Sequence, residues 1–187
     1  MVSGDQAADG YADIGSDDIW QDLERYCRVH GRSGYNFKAS YGAPILLRRV
    51  VERVRLEIPP QVGLIAADEG VASFVGALAL LSGTPFWVVR NRLEHNRVSM
   101  GTDTERDHAW ISGDASTEGE PCVLVDDIMG SGSKLLRALT LSRQAGLTVG
   151  SALVILAYQD ERAEATRVLG EAGCEIRVLH EVGQNAI

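Results

Sequence analysis

Lysine is nearly absent from this chain: Lys38 and Lys134 stand alone beside sixteen arginines. Any chemistry that needs a compact ammonium has only those two places to find it. Positive charge is in deficit overall, with a formal net charge of -8 over 187 residues, which argues against nucleic acid or an anionic membrane as the main partner. Cysteine is scarce too. Cys27, Cys122 and Cys174 show no metal-ligand spacing, and an odd set of three fits reduced, mostly buried thiols better than a disulfide framework. Long apolar runs are also missing: the most apolar stretch, Val71 to Leu81, falls short of the ~20 residues that span a bilayer. Residues 1 to 18 are small and acidic, unlike a secretory signal. A soluble, intracellular, cytoplasmic protein is expected, with no membrane and no nucleic-acid partner. There is no internal repeat and no low-complexity tract.

What is present suits one domain with a small accessory lobe. Apolar residues make up 45%, ample for a core. Residues 1–15 have the composition of a disordered tail, with nothing to bury. Residues 16–60 read as N-terminal helices and a hood. Ser16 is a good N-cap, with Asp17 and Asp18 at the positive end of the helix that follows; Ile19, Trp20, Leu23, Tyr26 and Cys27 line one face, and the helix should end near Gly31. Gly31 to Lys38 is a polar-aromatic segment, read as a surface hairpin or lid. Pro44 suits a helix first turn, with Ile45, Leu46, Val50, Val51 and Val54 as its apolar face and Pro59-Pro60 as its stop.

Residues 61–187 alternate strand and helix. Val62–Ala67 is a buried strand, Val71–Leu81 an apolar helix to be packed against a sheet, Pro85–Arg90 a strand, Val149–Ala157 a long strand, Asp160–Ala172 a helix and Glu175–Leu179 a last strand. This pattern specifies an α/β domain, a doubly wound parallel sheet. Ligands in such sheets sit at the carboxyl ends of the strands, where Asp68, Arg90 and Asp126 fall. Asn91 to Glu120 has little periodicity, and so long a loop is commonly functional or disordered.

The most informative stretch is Cys122 to Lys134, CVLVDDIMGSGSK. Four apolar residues run into the carboxylates Asp126 and Asp127, then Ile128 and Met129, then Gly130-Ser131-Gly132-Ser133 and the start of a helix. A Gly/Ser loop at a helix N-terminus offers unpaired N–H groups to a phosphate. Acids beside an anion cradle make sense for a ligand that carries both a phosphate and groups that want carboxylates, such as sugar hydroxyls or a metal ion. A ribose 5-phosphate meets both demands.

These thirteen residues resemble the phosphoribosyl-pyrophosphate (PRPP) motif of type I phosphoribosyltransferases. The resemblance implies that Asp126 and Asp127 hold the ribose hydroxyls and that Ile128, Met129, Gly130, Ser131, Gly132 and Ser133 hold the 5-phosphate. Two positions depart from the pattern: Ser131 stands where Thr is usual, and Lys134 replaces the closing Ser or Thr. Lys134 would reach the phosphate as a point charge or sit as a solvated first-turn residue. In the same family the turn after the first core strand binds pyrophosphate through backbone amides, a place taken here by Ala67, Asp68, Glu69 and Gly70.

Order and spacing from about Gly31 to Val182 are similar to the orotate branch of that family. Gly31, Arg32, Ser33 and Tyr35 match its base-contacting hood segment, which makes Arg32, Tyr35, Phe37 and Lys38 the expected acceptor-binding residues. Val29 and His30 stand where that branch has Lys-Ser. Arg90 is retained at the end of its strand and counts among the PRPP-binding residues, but both following lysines are missing. Arg92, His95, Arg97 or Arg106 would then supply positive charge to the leaving pyrophosphate, with Arg92 and His95 the catalytic candidates beside Asp126 and Asp127. The resemblance implies a PRPP-dependent transferase acting on a base or related small acceptor, orotate-like but not necessarily orotate. It further implies Mg2+ brought by PRPP, near Asp126 and Asp127, and a homodimer. The alternatives are a non-enzymatic PRPP- or nucleotide-sensing regulator of the same fold and a phosphoribohydrolase or phosphatase.

Overall fold

The computed structural model describes residues 18–28, 35–91, 109–112 and 119–183. The expected 1–15 tail lies outside them. So do Val29 to Gly34, with Arg32, and Arg92, His95, Arg97 and Arg106.

Helix α1 spans Ile19–Cys27. Its cap is Asp18, not Ser16, because the Asp18 carboxylate accepts from the backbone N–H of Trp20 and Gln21 at 3.0 and 3.3 Å. It also ends earlier than Gly31: Arg28 is extended and pairs in an antiparallel bridge with Tyr35. Residues Phe37–Gly42 form a 3-10 helix capped by the Asn36 side chain, which the apolar pattern did not announce. Helix α2, Pro44–Arg55, begins at its proline and buries Leu46, Val50, Val51 and Val54, while Ile45 points to water.

The core strands are β1 (Gly63–Ala66), β2 (Phe86–Asn91), β4 (Pro121–Met129), β5 (Thr148–Tyr158) and β6 (Glu175–Val182), joined through α3 (Ala72–Ser82), α4 (Ser133–Gln144) and α5 (Gln159–Glu171). β3, Ala109–Ser112, lies antiparallel on β2, so among the described residues the sheet has six strands in the order β3-β2-β1-β4-β5-β6, five of them parallel. The doubly wound parallel core is as expected, but the segment from Asn91 to Glu120 is not all loop. Four residues, AWIS, find a partner on the exposed edge of β2.

Side-chain alternation along the strands builds the two layers. Leu64 and Ala66 of β1 and Val123 and Val125 of β4 face a core shared with α1, α2 and α3. Ile65 of β1 and Leu124 of β4, with Ala67 just past β1, face the other core, against α4 and α5. Each fully buried Leu or Ile contributes about 1.5–3 kcal/mol over its exposed state. The α3 helix packs one side on this sheet, yet its last turn leaves Leu80 83% and Leu81 48% exposed. An all-apolar helix sequence therefore did not mean burial all round.

Two polar ties hold the N-terminal segment to the carboxyl ends of β5 and β6, and a third bond, from Tyr35 to Glu24, joins them. Glu24 of α1 meets His180 of β6 at 3.0 Å, the Tyr35 hydroxyl donates to Glu24 at 3.0 Å, and the Tyr35 N–H donates to the Tyr158 hydroxyl at 3.3 Å. The end of the sheet where ligands are expected is thus roofed by α1 and the 3-10 helix.

Candidate active site

Strand β4 continues through Met129, so Asp126 and Asp127 lie within its paired length and not beyond it, with Asp126 beside Val154 and Ile128 beside Leu156 of β5. This pairing fixes the two carboxylates by backbone, not by loop conformation. Asp126 is 1% exposed. Its Oδ1 accepts from the Asp127 N–H at 3.0 Å, and the Asp127 Oδ1 accepts from the Ile128 N–H at 2.8 Å. Oδ2 of Asp126 is buried and has no hydrogen-bond partner among the described residues.

The chain leaves the strand through Gly130-Ser131-Gly132 and enters α4 at Ser133. Gly132 is the N-cap, in the left-handed region at φ +78°, and no side chain caps the helix. A left-handed residue turns the chain back over the strand end and leaves the first N–H groups of α4 without a side-chain acceptor. The helix dipole adds roughly half a positive charge there. A cavity of about 280 Å³ opens on this loop, lined by Asp126, Ile128 to Leu135 and Glu161. The Ser131 and Ser133 hydroxyls lie 3.2 Å apart on it. Such a group of N–H donors at a helix N-terminus suits an anion.

The turn after β1 closes the other side. Oδ1 of Asp68 accepts from the Val71 N–H at 3.1 Å, starting α3, and the Tyr41 hydroxyl donates to the Gly70 carbonyl at 3.2 Å. Lys38 lies over the same turn, its Nζ 3.5 Å from where a β-carbon on Gly70 would stand. Of the expected acceptor residues, Lys38 therefore sits at the turn proposed for pyrophosphate. Phe37 is a correction: it is 1% exposed, edge-on to Phe74 and Tyr41, so its ring belongs to the core and offers no face to a base. Tyr35 spends its hydroxyl on Glu24 and stacks obliquely on Tyr158.

Lys134 is the second correction. Its side chain lines the cavity at the loop and is partly exposed, but its ammonium is neither a phosphate contact nor simply solvated. It reaches back to Asp126 Oδ1 at 2.6 Å, Asp68 Oδ2 at 3.1 Å and Asp127 Oδ1 at 3.4 Å. Burial pushes the Asp126 carboxyl up to about 7, against the pull of Lys134 and with Asp127 adding to the rise. Burial opposes the charge on Lys134, but the three carboxylates outweigh it and hold the ammonium charged well above the ordinary lysine range. The same acids reach the roof: the Cys27 thiol is pushed up to about 12 by burial and by Asp127, and the Tyr41 hydroxyl is raised by burial and by Asp127.

The donor set bears on the metal implied by the family motif. Three carboxylates converge, but an ammonium already sits among them, and no group of three or more His, Cys, Asp or Glu side chains among the described residues is arranged to hold a metal. A protein-held divalent ion does not fit the cluster in this arrangement. Sequence reasoning also passed over Tyr41 and Glu161, the second being an acid that faces the phosphate loop, with Oε2 2.8 Å from a β-carbon position at Gly130. A polar residue in the first turn of α5 gives no local sign that it faces a neighbouring loop.

No family model matches the chain. Curated relatives do. An adenine phosphoribosyltransferase of Rhodopseudomonas palustris is 32% identical over 148 residues, covering 76% of this chain and 81% of that protein. The chain belongs to the type I phosphoribosyltransferase family. An orotate phosphoribosyltransferase of Methanopyrus kandleri is 34% identical over 116 residues, 62% of this chain and 57% of that protein, and other relatives are named hypoxanthine/guanine phosphoribosyltransferases. The crystal structure of adenine phosphoribosyltransferase from Thermoanaerobacter pseudethanolicus superposes with a TM-score of 0.69 at 21% identity, over 87% of this chain and 99% of that one. That likeness supports the fold of this phosphoribosyltransferase, including the five-stranded parallel core.

Proposed function

We propose that this phosphoribosyltransferase moves the 5-phosphoribosyl group of PRPP onto a ring nitrogen of a base and releases pyrophosphate. The observation that carries the reading is the continuity of Asp126, Asp127 and the Gly130–Ser133 loop at the end of β4, which sets two carboxylates beside a helix N-terminus that suits an anion, the pairing a ribose 5-phosphate asks for. In this reading the N–H groups of the loop bind the 5-phosphate and the carboxylates orient the ribose hydroxyls. The Ala67–Gly70 turn, with Lys38 over it, receives the pyrophosphate. The bond from the anomeric carbon to the pyrophosphate oxygen breaks with its electron pair going to that oxygen. The nitrogen lone pair forms the new bond from the opposite face, and the nitrogen's proton leaves to solvent.

The protein's share is positioning and charge stabilisation more than covalent chemistry. Mg2+ bound with PRPP would spread the charge of the leaving pyrophosphate. Arg90, Arg92 and His95, whose side chains lie outside the described residues, remain proposed contributors at the pyrophosphate end, and Arg32 at the base. A cytoplasmic homodimer fits the reading; the exposed Leu80, Leu81 and Phe86 supply apolar surface for a second copy. The test is nucleotide formation from PRPP with adenine, hypoxanthine, guanine or orotate, followed by chromatography. A nucleoside monophosphate appearing with at least one base, together with equimolar pyrophosphate, is expected. PRPP left intact with every base would overturn the reading.

A further inference from the structure

Lys134 meets three carboxylates from two separate segments, the turn after β1 and the end of β4, while itself belonging to the first turn of α4. An ammonium has three donors, and here three carboxylate oxygens lie between 2.6 and 3.4 Å from it. The three acidic contacts all come from this one cluster. The cluster is enclosed as well: the side chains of Asp126, Asp127 and Asp68 are 1%, 13% and 24% exposed, and Lys134 35%. Converging carboxylates at such distances would otherwise repel one another or gather a divalent cation. Oδ2 of Asp126 is buried beside this cluster and has no hydrogen-bond partner among the described residues, so the acid keeps an acceptor that Lys134 does not occupy.

We infer that Lys134 is a tethered cation that takes the place of a protein-held divalent metal at the sugar-hydroxyl end of the site, so that the ribose 5-phosphate half of the donor binds without metal. This inference rests on the phosphoribosyltransferase reading of the pocket. Lys134 is then a positioning residue: it holds Asp68 against β4 and keeps the acids ready for hydroxyl groups. Metal dependence of the reaction is confined to the pyrophosphate end.

The test uses the full chain at about pH 8 and two probes. Ribose 5-phosphate, which lacks pyrophosphate, is titrated calorimetrically into wild type, Lys134→Met and Lys134→Arg, with EDTA and with Mg2+. Mn2+ alone is titrated into the ligand-free proteins and followed by electron paramagnetic resonance. Wild type should bind ribose 5-phosphate equally, within about two-fold, in EDTA and in Mg2+, and should not bind Mn2+ at the cluster. Lys134→Met should acquire a Mn2+ site that Asp68→Asn in the same chain abolishes, and should lose ten-fold or more in ribose 5-phosphate affinity in EDTA, partly restored by metal; Lys134→Arg should stay metal-free. Wild type that holds Mn2+ at the cluster, or binds ribose 5-phosphate only with metal, overturns the inference, and needs no variant to fold. A folded Lys134→Met that takes up no Mn2+ also overturns it. Wild type that binds no ribose 5-phosphate under any condition removes the reading of the pocket instead, while the Mn2+ titrations still decide the role of Lys134.

Discussion

Replacing Gly132 by alanine should damage both fold and site, through the backbone and through packing together. At φ +78° an L-residue crowds its β-carbon against the following carbonyl, at a cost of roughly 1–2 kcal/mol. The added methyl would also stand 2.9 Å from the Ala165 Cβ, 3.2 Å from the Ala165 Cα and 3.4 Å from the Leu169 Cδ1. Ala165 and Leu169 are fully buried on α5, and one of the contacted atoms is backbone, so the clash is relieved only by shifting the helix or the loop. Overpacking of this kind costs about 1–3 kcal/mol. The total, about 2–5 kcal/mol, is a large share of the 5–15 kcal/mol typical of a domain. Urea denaturation followed by tryptophan fluorescence, with the buried Trp87 as reporter, measures it. Gly170→Ala is the control, because a β-carbon there meets nothing within 4 Å and alanine in a helix is worth about 0.5–1 kcal/mol over glycine. A Gly132→Ala loss below about 0.5 kcal/mol would refute both the turn geometry and the packing of α5 on the phosphate loop.

Three further outcomes follow from the same geometry. The stability advantage of wild type over Asp126→Asn should shrink by a few kcal/mol as pH rises from about 4 to about 7 and then level off. A carboxyl raised from about 3.9 in the unfolded chain to about 7 when folded contributes fully below the first value and loses that contribution through the second; thermal melts across that range with no such trend would contradict the burial of Asp126. Glu161→Gln should tighten ribose 5-phosphate binding about five-fold, since a half-buried like charge some 4 Å away, screened as in water, costs about 1 kcal/mol; calorimetry showing weaker binding would mean that the carboxylate holds the loop instead of repelling the ligand. Orotate should be a poor acceptor, because Val29 and His30 replace the hood cation and Asn91 to Asn96 contains no lysine; efficient PRPP-dependent loss of its ultraviolet absorbance, with kcat/KM above about 10⁴ M⁻¹s⁻¹, would show that arginine suffices.

Continuous apolar runs bounded by Gly and Asp are enough to identify β1, β4 and β5, because strands buried on both faces leave no polar alternation to confuse them. The loop between β4 and α4 is equally legible, since only small residues follow the acid pair and its two apolar neighbours. What escaped the sequence depends on direction in space. Lys134 follows Asp126 by eight residues, and nothing local says that a first-turn side chain folds back to the strand it has just left. Phe37 reads as an acceptor residue from its place in the hood-like segment, but the 3-10 helix that it shares with Tyr41 turns its ring onto Phe74 of α3, a partner the local sequence does not announce. β3 is a four-residue strand that gains its identity from the edge of β2 and has no periodicity of its own. Asp68 read as part of a backbone turn, and only the convergence of β1 with β4 brings its carboxylate to the ammonium.

The most direct measurement is a crystal structure of the protein with PRPP. The account predicts the 5-phosphate on the N–H groups of Gly130 to Ser133, the ribose hydroxyls within hydrogen-bond distance of Asp126 or Asp127, and the pyrophosphate against the Ala67–Gly70 turn. A 5-phosphate bound away from that loop, or a ribose that makes no contact with either aspartate, would contradict it.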